Sequence, residues 1–324
     1  MNLENTALQL SNSAFLKFII SFHILAASAG IIFLSIVQWN RKFSIKLLAH
    51  KSLILLMDFH TFWTFLMCFS ILSNCVITMH AHLTMSAPSD ILVRAPYCMA
   101  LRTPLLLSCY GSIFSQLAMA VERYRASSNL ANYESTGRAV GHLLNAVHII
   151  ATALIWVVHM TFYGTDRVAA HCTMITPEGG TVHTSIPMIT IVCEIITITT
   201  FKRLLKRNSR LHNTAGLTLS ERYQLSENIR MLNLLLPIIW SHTSIGIIAT
   251  LIYFALMNIF RAPEMYPLIE ESVSLLYLQG ICMPLIFIYR SRKETKRVLH
   301  IRTINRMQSA MLASYHAKAF MEGW

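Results

Sequence analysis

Seven long apolar stretches alternate with short polar connectors along the chain. The apolar stretches cover approximately residues 18–37, 53–79, 98–121, 142–162, 184–201, 231–259 and 268–289. Each is close to, or longer than, the ~18–20 residues that a helix needs to cross a ~30 Å hydrocarbon core. In lipid, a spanning segment must also satisfy its own backbone hydrogen bonds, which a helix does. The pattern therefore predicts an all-α membrane protein, a bundle of seven transmembrane helices.

The basic residues predict how this bundle is oriented. Of the 27 Lys and Arg residues, only four lie in the segments on one side of the bundle. The other side holds 22 of them, in 38–52, 122–141, 202–230 and 290–324. Basic connectors stay in the cytoplasm, so we expect the N-terminus outside and the C-terminus inside. The expected parts are an extracellular segment 1–17, a transmembrane domain 18–289 and a cytoplasmic tail 290–324.

Composition fits a membrane protein and excludes several other classes. The chain is 54% hydrophobic and 13% charged, whereas soluble domains average roughly 25% charged residues. The net charge of +12 follows from the basic inner side, which also attracts anionic membrane lipid. No basic run is interleaved with stacking aromatic residues, so we expect no nucleic-acid partner. Without a phosphate loop, a zinc-protease motif or a nucleophile–base set, we expect neither an enzyme nor a cofactor.

Two of the seven cysteines lie at the outer end of the predicted bundle. Cys98 begins the third apolar stretch and Cys172 lies in the connector after the fourth. Both face an oxidising compartment during biogenesis, which permits a disulfide. We expect this bond, which would fold the second outer loop over the mouth of the bundle. The alternative is two unpaired thiols, because the bond also needs a geometry that sequence does not specify.

The third apolar stretch ends in the triplet Glu122-Arg123-Tyr124, with Arg123 25 residues after Cys98. At ~1.5 Å per residue this separation is about 37 Å, the thickness of a membrane with its interfaces. An outer cysteine, one full helix and an acid-Arg-Tyr triplet resemble the third helix of G-protein-coupled receptors. The resemblance implies that Glu122 holds Arg123 at rest and releases it to a G-protein α subunit on activation. The alternative is an ordinary positive-inside arginine at a helix end.

Other markers of that superfamily are partial. The sixth stretch contains Pro237 before Trp240, the reverse of the usual order of the two residue types. The seventh contains Met283-Pro284-Leu285-Ile286-Phe287, which is similar to Asn-Pro-x-x-Tyr without its two polar members. The resemblance implies that Pro237 and Pro284 take part in the activation switch. It does not extend to the usual water-mediated relay.

Two inner segments carry a closer resemblance. Residues 121–126, followed by Tyr133, Glu134 and Gly137, and residues 219–230 are similar to segments of nematode serpentine chemoreceptors. Among these receptors the chain most resembles class alpha/beta of the Sra superfamily, over all seven stretches. The resemblance implies a G-protein-coupled chemosensory receptor that binds a small molecule within the bundle. It also implies a plasma-membrane protein, in the cilium of a sensory neuron.

The connector before the sixth stretch is predicted to form a stiff helix that continues into that stretch and acts as a lever. Thr218 and Glu221 form a Thr-x-x-Glu capping box, which begins a helix near residue 219. No Gly or Pro interrupts that helix before Pro237, where a kink provides a pivot. Glu221 or Glu227 is placed to pair with Arg123 at rest. The alternative is a solvated helix face, because exposed ion pairs are weak.

Ionisable residues inside the apolar stretches are candidates for ligand binding, because such groups usually face the bundle interior and have a partner. The candidates are Arg102, Glu194, Glu270 and Glu271, together with the aromatic Trp240. Arg102 lies one helical turn inward of Cys98, where it is placed to bind an anionic group of a ligand bidentately. The alternative is a structural ion pair with one of the three glutamates.

Four histidines lie at the predicted outer end: His80, His82, His171 and His183. They are of the type that binds Zn²⁺ or responds to pH. Their spacing matches no zinc motif, so we expect packed or interfacial histidines and no metal.

The tail begins with basic residues at helical spacing. Between residues 290 and 307, apolar positions recur every three residues among lysines and arginines. This pattern predicts a short amphipathic eighth helix on the inner leaflet.

Two other functions remain open at this point. A receptor for an internal peptide or neurotransmitter would have the same sequence features. A transporter or channel would need several ionisable residues along facing helices, whereas those found here are dispersed.

Overall fold

The computed structural model describes most of the chain as helix. The described residues are 3–44, 50–84, 87–130, 133, 138–162, 168–173, 180–214, 216–260, 265–290 and a few positions of the tail. The helices are α1 Leu3–Asn12, α2 Ala14–Ser44, α3 Lys51–Thr84, α4 Pro88–Ile91, α5 Ala95–Ser128, α6 Ala139–Thr161, α7 Gly180–His212, α8 Leu219–Ile259, α9 Tyr266–Val273 and α10 276–290. A two-residue strand pair, β1 Val93–Arg94 and β2 Val168–Ala169, is antiparallel.

Among the described residues, six helical spans are long and apolar enough to cross a membrane. They are α2, α3, α5, α6, α8 and the combined segment Tyr266–Arg290. The helical membrane bundle predicted from hydropathy is therefore present. The predicted stretch 184–201 falls inside α7, a helix of 33 residues, and its membrane crossing remains a prediction, as does the orientation. The predicted eighth helix lies largely outside the described residues.

The last apolar stretch is interrupted, although its sequence predicts one helix over 268–289. Helix α9 ends at Val273, and Ser274 leaves helical geometry with φ −65° and ψ 83°. The helix resumes at residue 276. Non-helical backbone at membrane depth is tolerated where it lines a cavity, and Ser274 and Leu275 line one here. The interruption separates a short helix, which buries Glu270 and Glu271, from the rest of the span.

Helix α5 is the centre of the bundle. It packs against α3, α6, α7 and α8. In its most apolar 18-residue segment, 61% is buried, whereas the corresponding share in the other five spans is 22–39%. Ser108, Ser112 and Ser115 are fully buried on it. Small residues of this kind let helices approach closely in a membrane. The central position lets α5 contribute side chains to both ends of the bundle.

A glycine contact joins three further helices. A Cβ atom built on Gly280 of α10 would collide with the sulfur of Cys68 in α3, and one on Gly30 of α2 would lie 3.0 Å from the same sulfur. Glycine at both positions is therefore required by the close packing of α2, α3 and α10.

Helix α1, at the start of the described residues, packs onto one end of the bundle. Helix α1 lies within the predicted segment 1–17 and packs against α2, α3 and α4. Its Ala7 and Leu10 are buried. This end also carries the β1–β2 pair and the bond between Cys98 and Cys172, whose Cα atoms are 5.4 Å apart. We refer to it as the disulfide end.

Candidate functional site

At the opposite end of α5, Arg123 and Glu122 form a buried ion pair. Arg123 donates from Nε to Glu122 Oε2 at 2.6 Å and from Nη2 to Oε1 at 2.8 Å. Arg123 is 1% exposed and Glu122 is fully buried. A bidentate, charge-assisted pair of this kind is among the stronger side-chain interactions. The acid that holds the arginine is therefore its neighbour in the chain.

Two neutral side chains complete the hydrogen bonding of Arg123. Its Nη2 donates to the Tyr133 hydroxyl at 2.7 Å, and its Nη1 donates to Asn228 Oδ1 at 3.1 Å. The Tyr133 hydroxyl in turn donates to Glu122. Burial raises the pKa of Tyr133 well above its usual value, so this residue remains a neutral donor. We call Glu122, Arg123, Tyr133 and Asn228 the arginine lock.

Ser127 extends the lock to a third helix. Its hydroxyl accepts from Asn228 Nδ2 of α8 at 2.7 Å and from Asn208 Nδ2 of α7 at 2.9 Å, and donates to the Arg123 carbonyl at 2.9 Å. Helices α5, α7 and α8 are thus joined by uncharged hydrogen bonds beside the ion pair. Sequence reasoning missed Asn228, Ser127 and Asn208. Asn228 and Tyr133 do belong to the two segments that resemble serpentine receptors.

The helix before the sixth stretch begins as predicted. Glu221 N donates to Thr218 Oγ1 at 3.3 Å, and the Glu221 carboxylate accepts from Thr218 N at 2.9 Å. This capping box starts α8, which continues for 41 residues. The predicted helix start and its unbroken course are therefore confirmed. The capping role occupies the carboxylate that we expected to reach Arg123.

The remaining predicted switch residues differ in their surroundings. Glu227 is close enough to Tyr133 that its charge adds to the effect of burial on the tyrosine pKa. Tyr124 is 55% exposed. Helix α8 continues through Pro237, and Pro284 is buried in α10.

Arg102, at the disulfide end of α5, is held by distant parts of the chain. Its Nη2 donates to Glu271 Oε1 at 2.7 Å and to the Cys172 carbonyl at 2.6 Å. His171 Nε2 lies 3.2 Å from the same carboxylate oxygen, and His23 Nδ1 lies 3.6 Å from the other. Of the two predicted roles for Arg102, the structure shows the structural ion pair.

One group of side chains in this region has the donor types of a metal site. Ligand atoms of His23, Cys75 and Glu271 lie within 4.8 Å of one another. The Glu271 carboxylate already binds Arg102, and the positive charge of that guanidinium opposes a divalent cation. Of the predicted outer histidines, His82 and His171 have ring centroids 6.3 Å apart. The side chain of His183 lies outside the described residues.

A cavity of about 210 Å³ lies between α5, α6, α7, α8 and the broken last span. Its polar lining includes Tyr110, His159, Glu194, His242, Tyr253, Glu270 and Gln279. Glu194 and Glu270 are thus the predicted ligand candidates that the structure brings to one cavity. Arg102, Glu271 and Trp240 are not among its described lining residues. Trp240 is 43% exposed, and the Lys202 ammonium lies 4.1 Å from the centroid of its ring.

Hydrogen bonds order the polar wall of the cavity. Glu194 Oε1 and His242 Nδ1 are 3.1 Å apart, and His242 Nε2 lies 3.2 Å from Ser112 Oγ. A second pair joins α5 to α6, where the Tyr110 hydroxyl lies 3.0 Å from His159 Nδ1. Sequence reasoning missed these tyrosine and histidine positions. Polar residues within an apolar stretch were the available signal, but only packing shows which helix faces they share.

Comparison with known proteins decides the family. The family model described as a serpentine type 7TM GPCR receptor class ab chemoreceptor matches residues 4–321. The chain belongs to this serpentine receptor family. The family membership expected from the two inner segments is therefore confirmed.

Three serpentine receptors of Caenorhabditis elegans are similar to the chain. Serpentine receptor class alpha/beta-14 is 26% identical over 228 residues, which are 66% of this chain and 58% of that protein. Serpentine receptor class beta-17 is 26% identical over 252 residues, 73% of this chain and 68% of that protein. Serpentine receptor class alpha-39 is 24% identical over 192 residues, 58% of this chain and 51% of that protein. The matched part spans little more than half of the class alpha/beta-14 and class alpha-39 proteins.

Proposed function

We propose that this serpentine receptor is a G-protein-coupled chemosensory receptor of the plasma membrane, acting in the cilium of a sensory neuron. A small molecule binds in the cavity, and the receptor activates a heterotrimeric G protein through its α subunit. The arginine lock is the observation that carries this proposal. It joins α5 to α8 at one end of the bundle, while the same two helices line the cavity closer to the other end.

In the resting arrangement, burial keeps the Arg123 guanidinium out of reach of a G protein. The residue is 1% exposed, and α8 holds it through a hydrogen bond to Asn228 and through the negative charge of Glu227. A neutral or singly charged hydrogen bond contributes only about 0.5–3 kcal/mol net. A modest movement of α8 therefore breaks the contact and exposes the guanidinium, while Glu122 remains attached to the same helix as Arg123.

Helix α8 has a suitable lever for this movement. The 19 residues from Leu219 to Pro237 span about 28 Å at ~1.5 Å per residue. A bend of about 10° at the proline moves the far end by about 5 Å. In the active arrangement this end swings outward, and the C-terminus of the Gα subunit enters the opened crevice. The ligand drives the change by binding the active packing more tightly than the resting one.

The test is G-protein recruitment to receptor on the cell surface. A panel of miniature Gα biosensors is screened with volatile and water-soluble small molecules, comparing wild type with Arg123→Ala. Arg125→Ala is the matched control, because Arg125 lies two residues away on the same helix and is exposed. At equal surface expression, we expect Arg123→Ala to abolish ligand-dependent recruitment and Arg125→Ala to retain it.

Two results would count against the proposal. A ligand response that persists in Arg123→Ala would mean that the arginine is only a topological charge. No recruitment with any ligand, despite good surface expression, would favour a transport or scaffolding role.

A further inference from the structure

The break in the last span leaves backbone donors beside the cavity. Ser274 N donates to the Glu270 carbonyl at 3.1 Å, and Leu278 N donates to the Leu275 carbonyl at 2.9 Å. Between them, the N–H groups of Leu275 and Leu276 have no acceptor among the described residues. Both residues line the cavity. The first N–H groups of a helix have no partner within it, and at membrane depth such groups need an acceptor from elsewhere.

Gln279 adds a side-chain amide to these donors. It is 4% exposed and lines the cavity. Within the described part of the chain, its amide has no hydrogen-bond partner. Residues four apart lie on one face of a helix, and helical side chains lean toward the N-terminus. The Gln279 side chain therefore leans from one turn along α10 toward its start, where the free N–H groups of Leu275 and Leu276 lie.

The other buried polar side chains of the described lining are already paired. The paired set is Tyr110 with His159, and Ser112, His242 and Glu194 with one another. Glu270 has an interaction partner as well. Gln279 is thus the buried polar side chain of this lining that remains available to a ligand, and it lies next to the free backbone donors.

We propose that the cavity binds a small uncharged molecule through a carbonyl oxygen, which accepts from the N–H groups at the start of α10 and from the Gln279 amide. Backbone N–H groups only donate, so the ligand supplies the acceptor, and a carbonyl oxygen has two lone pairs for this. A carboxylate also accepts, but the carboxylates of Glu194 and Glu270 line the same cavity and repel an anion. This inference rests on the proposed function only in treating the cavity as the receptor's ligand site.

The rest of the lining fits the body of such a molecule. Apolar surface comes from Leu106, Ile113, Ile191, Ala249 and Phe254. The volume of about 210 Å³ is a little larger than the ~150 Å³ cavity that holds one benzene molecule. The expected ligand is therefore a ketone, aldehyde or ester with about the size of one ring and a short substituent.

The test measures binding to purified, full-length receptor in lipid nanodiscs. Four probes share a flat, one-ring shape: acetophenone has a carbonyl oxygen, α-methylstyrene has a carbon in its place, benzoate is an anion and benzamidine is a cation. Each is titrated while the thermal unfolding midpoint is recorded, since a ligand that binds only the folded state raises it. We expect acetophenone to bind roughly 10-fold more tightly than α-methylstyrene, and both charged probes to bind more weakly than acetophenone.

A first variant removes the side-chain amide. Gln279→Met keeps the approximate length of the side chain, so acetophenone and α-methylstyrene should bind within about 3-fold of each other. Gln116→Met is the matched control, because Gln116 is also a buried glutamine without a hydrogen-bond partner but is not among the described lining residues. It should leave the preference unchanged. The ratio of the two affinities is compared between variants, so that partition of the probes into lipid cancels.

A second variant removes a backbone donor and still carries the test if Gln279→Met does not fold. Leu276 is the first residue of α10, a position where proline is tolerated because its N–H has no partner in the helix. Leu276→Pro should lower the preference for acetophenone by roughly 2- to 5-fold. Leu276→Ala is its control, since it shortens the side chain but keeps the N–H group, and it should retain the preference.

Four outcomes would overturn the inference: equal binding of acetophenone and α-methylstyrene to the wild type, tighter binding of a charged probe, a preference that persists in both Gln279→Met and Leu276→Pro, or no binding of any probe. These outcomes are separate from a failure of the proposed function. A receptor that prefers the carbonyl probe but recruits no Gα subunit keeps the inference and loses the proposed function. A receptor that recruits Gα only in response to charged ligands does the reverse.

Discussion

Arg102 and Arg123 lie on the same helix, both are buried, and each binds a glutamate, but the two glutamates come from different parts of the chain. Glu271 is 169 residues from Arg102 and lies on α9. Glu122 is adjacent to Arg123 on α5 itself. The Arg102 pair therefore forms only when α5, α9 and the disulfide-bonded loop have come together. The Arg123 pair needs α5 alone.

This difference assigns different mechanical roles to the two ends. At the disulfide end, any separation of α5 from α9 would break a buried ion pair, which is costly. At the lock, α8 can leave without separating Arg123 from Glu122, because Glu122 is on the same helix as Arg123, whereas Asn228 and Glu227 lie on α8. The first end is suited to a fixed scaffold around the cavity. The second is suited to a reversible switch.

Replacing Glu271 or Glu122 by glutamine should have the largest effect, a loss of stability. Glu271→Gln removes the carboxylate that binds the buried Arg102, so we expect a loss of about 3–5 kcal/mol in the free energy of unfolding. In Glu122→Gln, Arg123 keeps Tyr133 and Asn228 as partners, so we expect a loss of about 1–3 kcal/mol. Thermal unfolding of the purified receptors checks the order. Equal losses of stability in the two variants would mean that the two ion pairs do not differ in this way.

Replacing Asn228 tests the switch directly and should have the next largest effect. Asn228→Leu removes the acceptor of Arg123 on α8 and should raise ligand-independent Gα recruitment roughly 2- to 10-fold, because a hydrogen bond of about 0.5–1.5 kcal/mol is lost from the resting state. Asn258→Leu is the control, since Asn258 lies on the same helix and is exposed. Unchanged basal recruitment in Asn228→Leu would mean that this bond does not hold the resting state.

Removing the Tyr133 hydroxyl should have the smallest effect of the three. Tyr133→Phe deletes the group that bridges Arg123 and Glu122 but leaves the ion pair and the Asn228 bond in place. We expect about 1 kcal/mol less stability and a rise in basal recruitment below that of Asn228→Leu. Tyr124→Phe, at an exposed position, should change neither quantity. A larger rise in basal recruitment in Tyr133→Phe than in Asn228→Leu would mean that the Tyr133 hydroxyl, and not the contact with α8, is the main restraint on Arg123.

Much of the fold was predictable because its determinants are local. The apolar stretches indicated the helical membrane bundle, and the Thr218–Glu221 box indicated where α8 begins. The pairing of Cys98 with Cys172, seen in the structure, was expected because only these two cysteines lie at the outer end. The interruption at Ser274 was not predictable. No Pro or Gly marks it, and its link to the cavity, which Ser274 and Leu275 line, is visible only in the packed structure.

The site was less predictable than the fold. Sequence identified Glu194, Glu270, Glu271 and Arg102 as inward-facing charges, because ionisable residues in apolar stretches seldom face lipid. It did not show which of these would meet. Trp240 illustrates the limit, since its residue type and position favoured the ligand site but its ring faces outward beside Lys202.

The amino-acid sequence by itself determined most of the helices, the cap of α8 and the presence of buried charge, since these depend on hydropathy, spacing and capping within a few residues. The tertiary structure alone decided which hydrogen-bond partners each charge has: Glu271 and the Cys172 carbonyl for Arg102, and Tyr133 and Asn228 beside Glu122 for Arg123. The physical reason is that side-chain pairing depends on contacts of a few ångströms. Those distances are set by how helices far apart in the chain pack around α5.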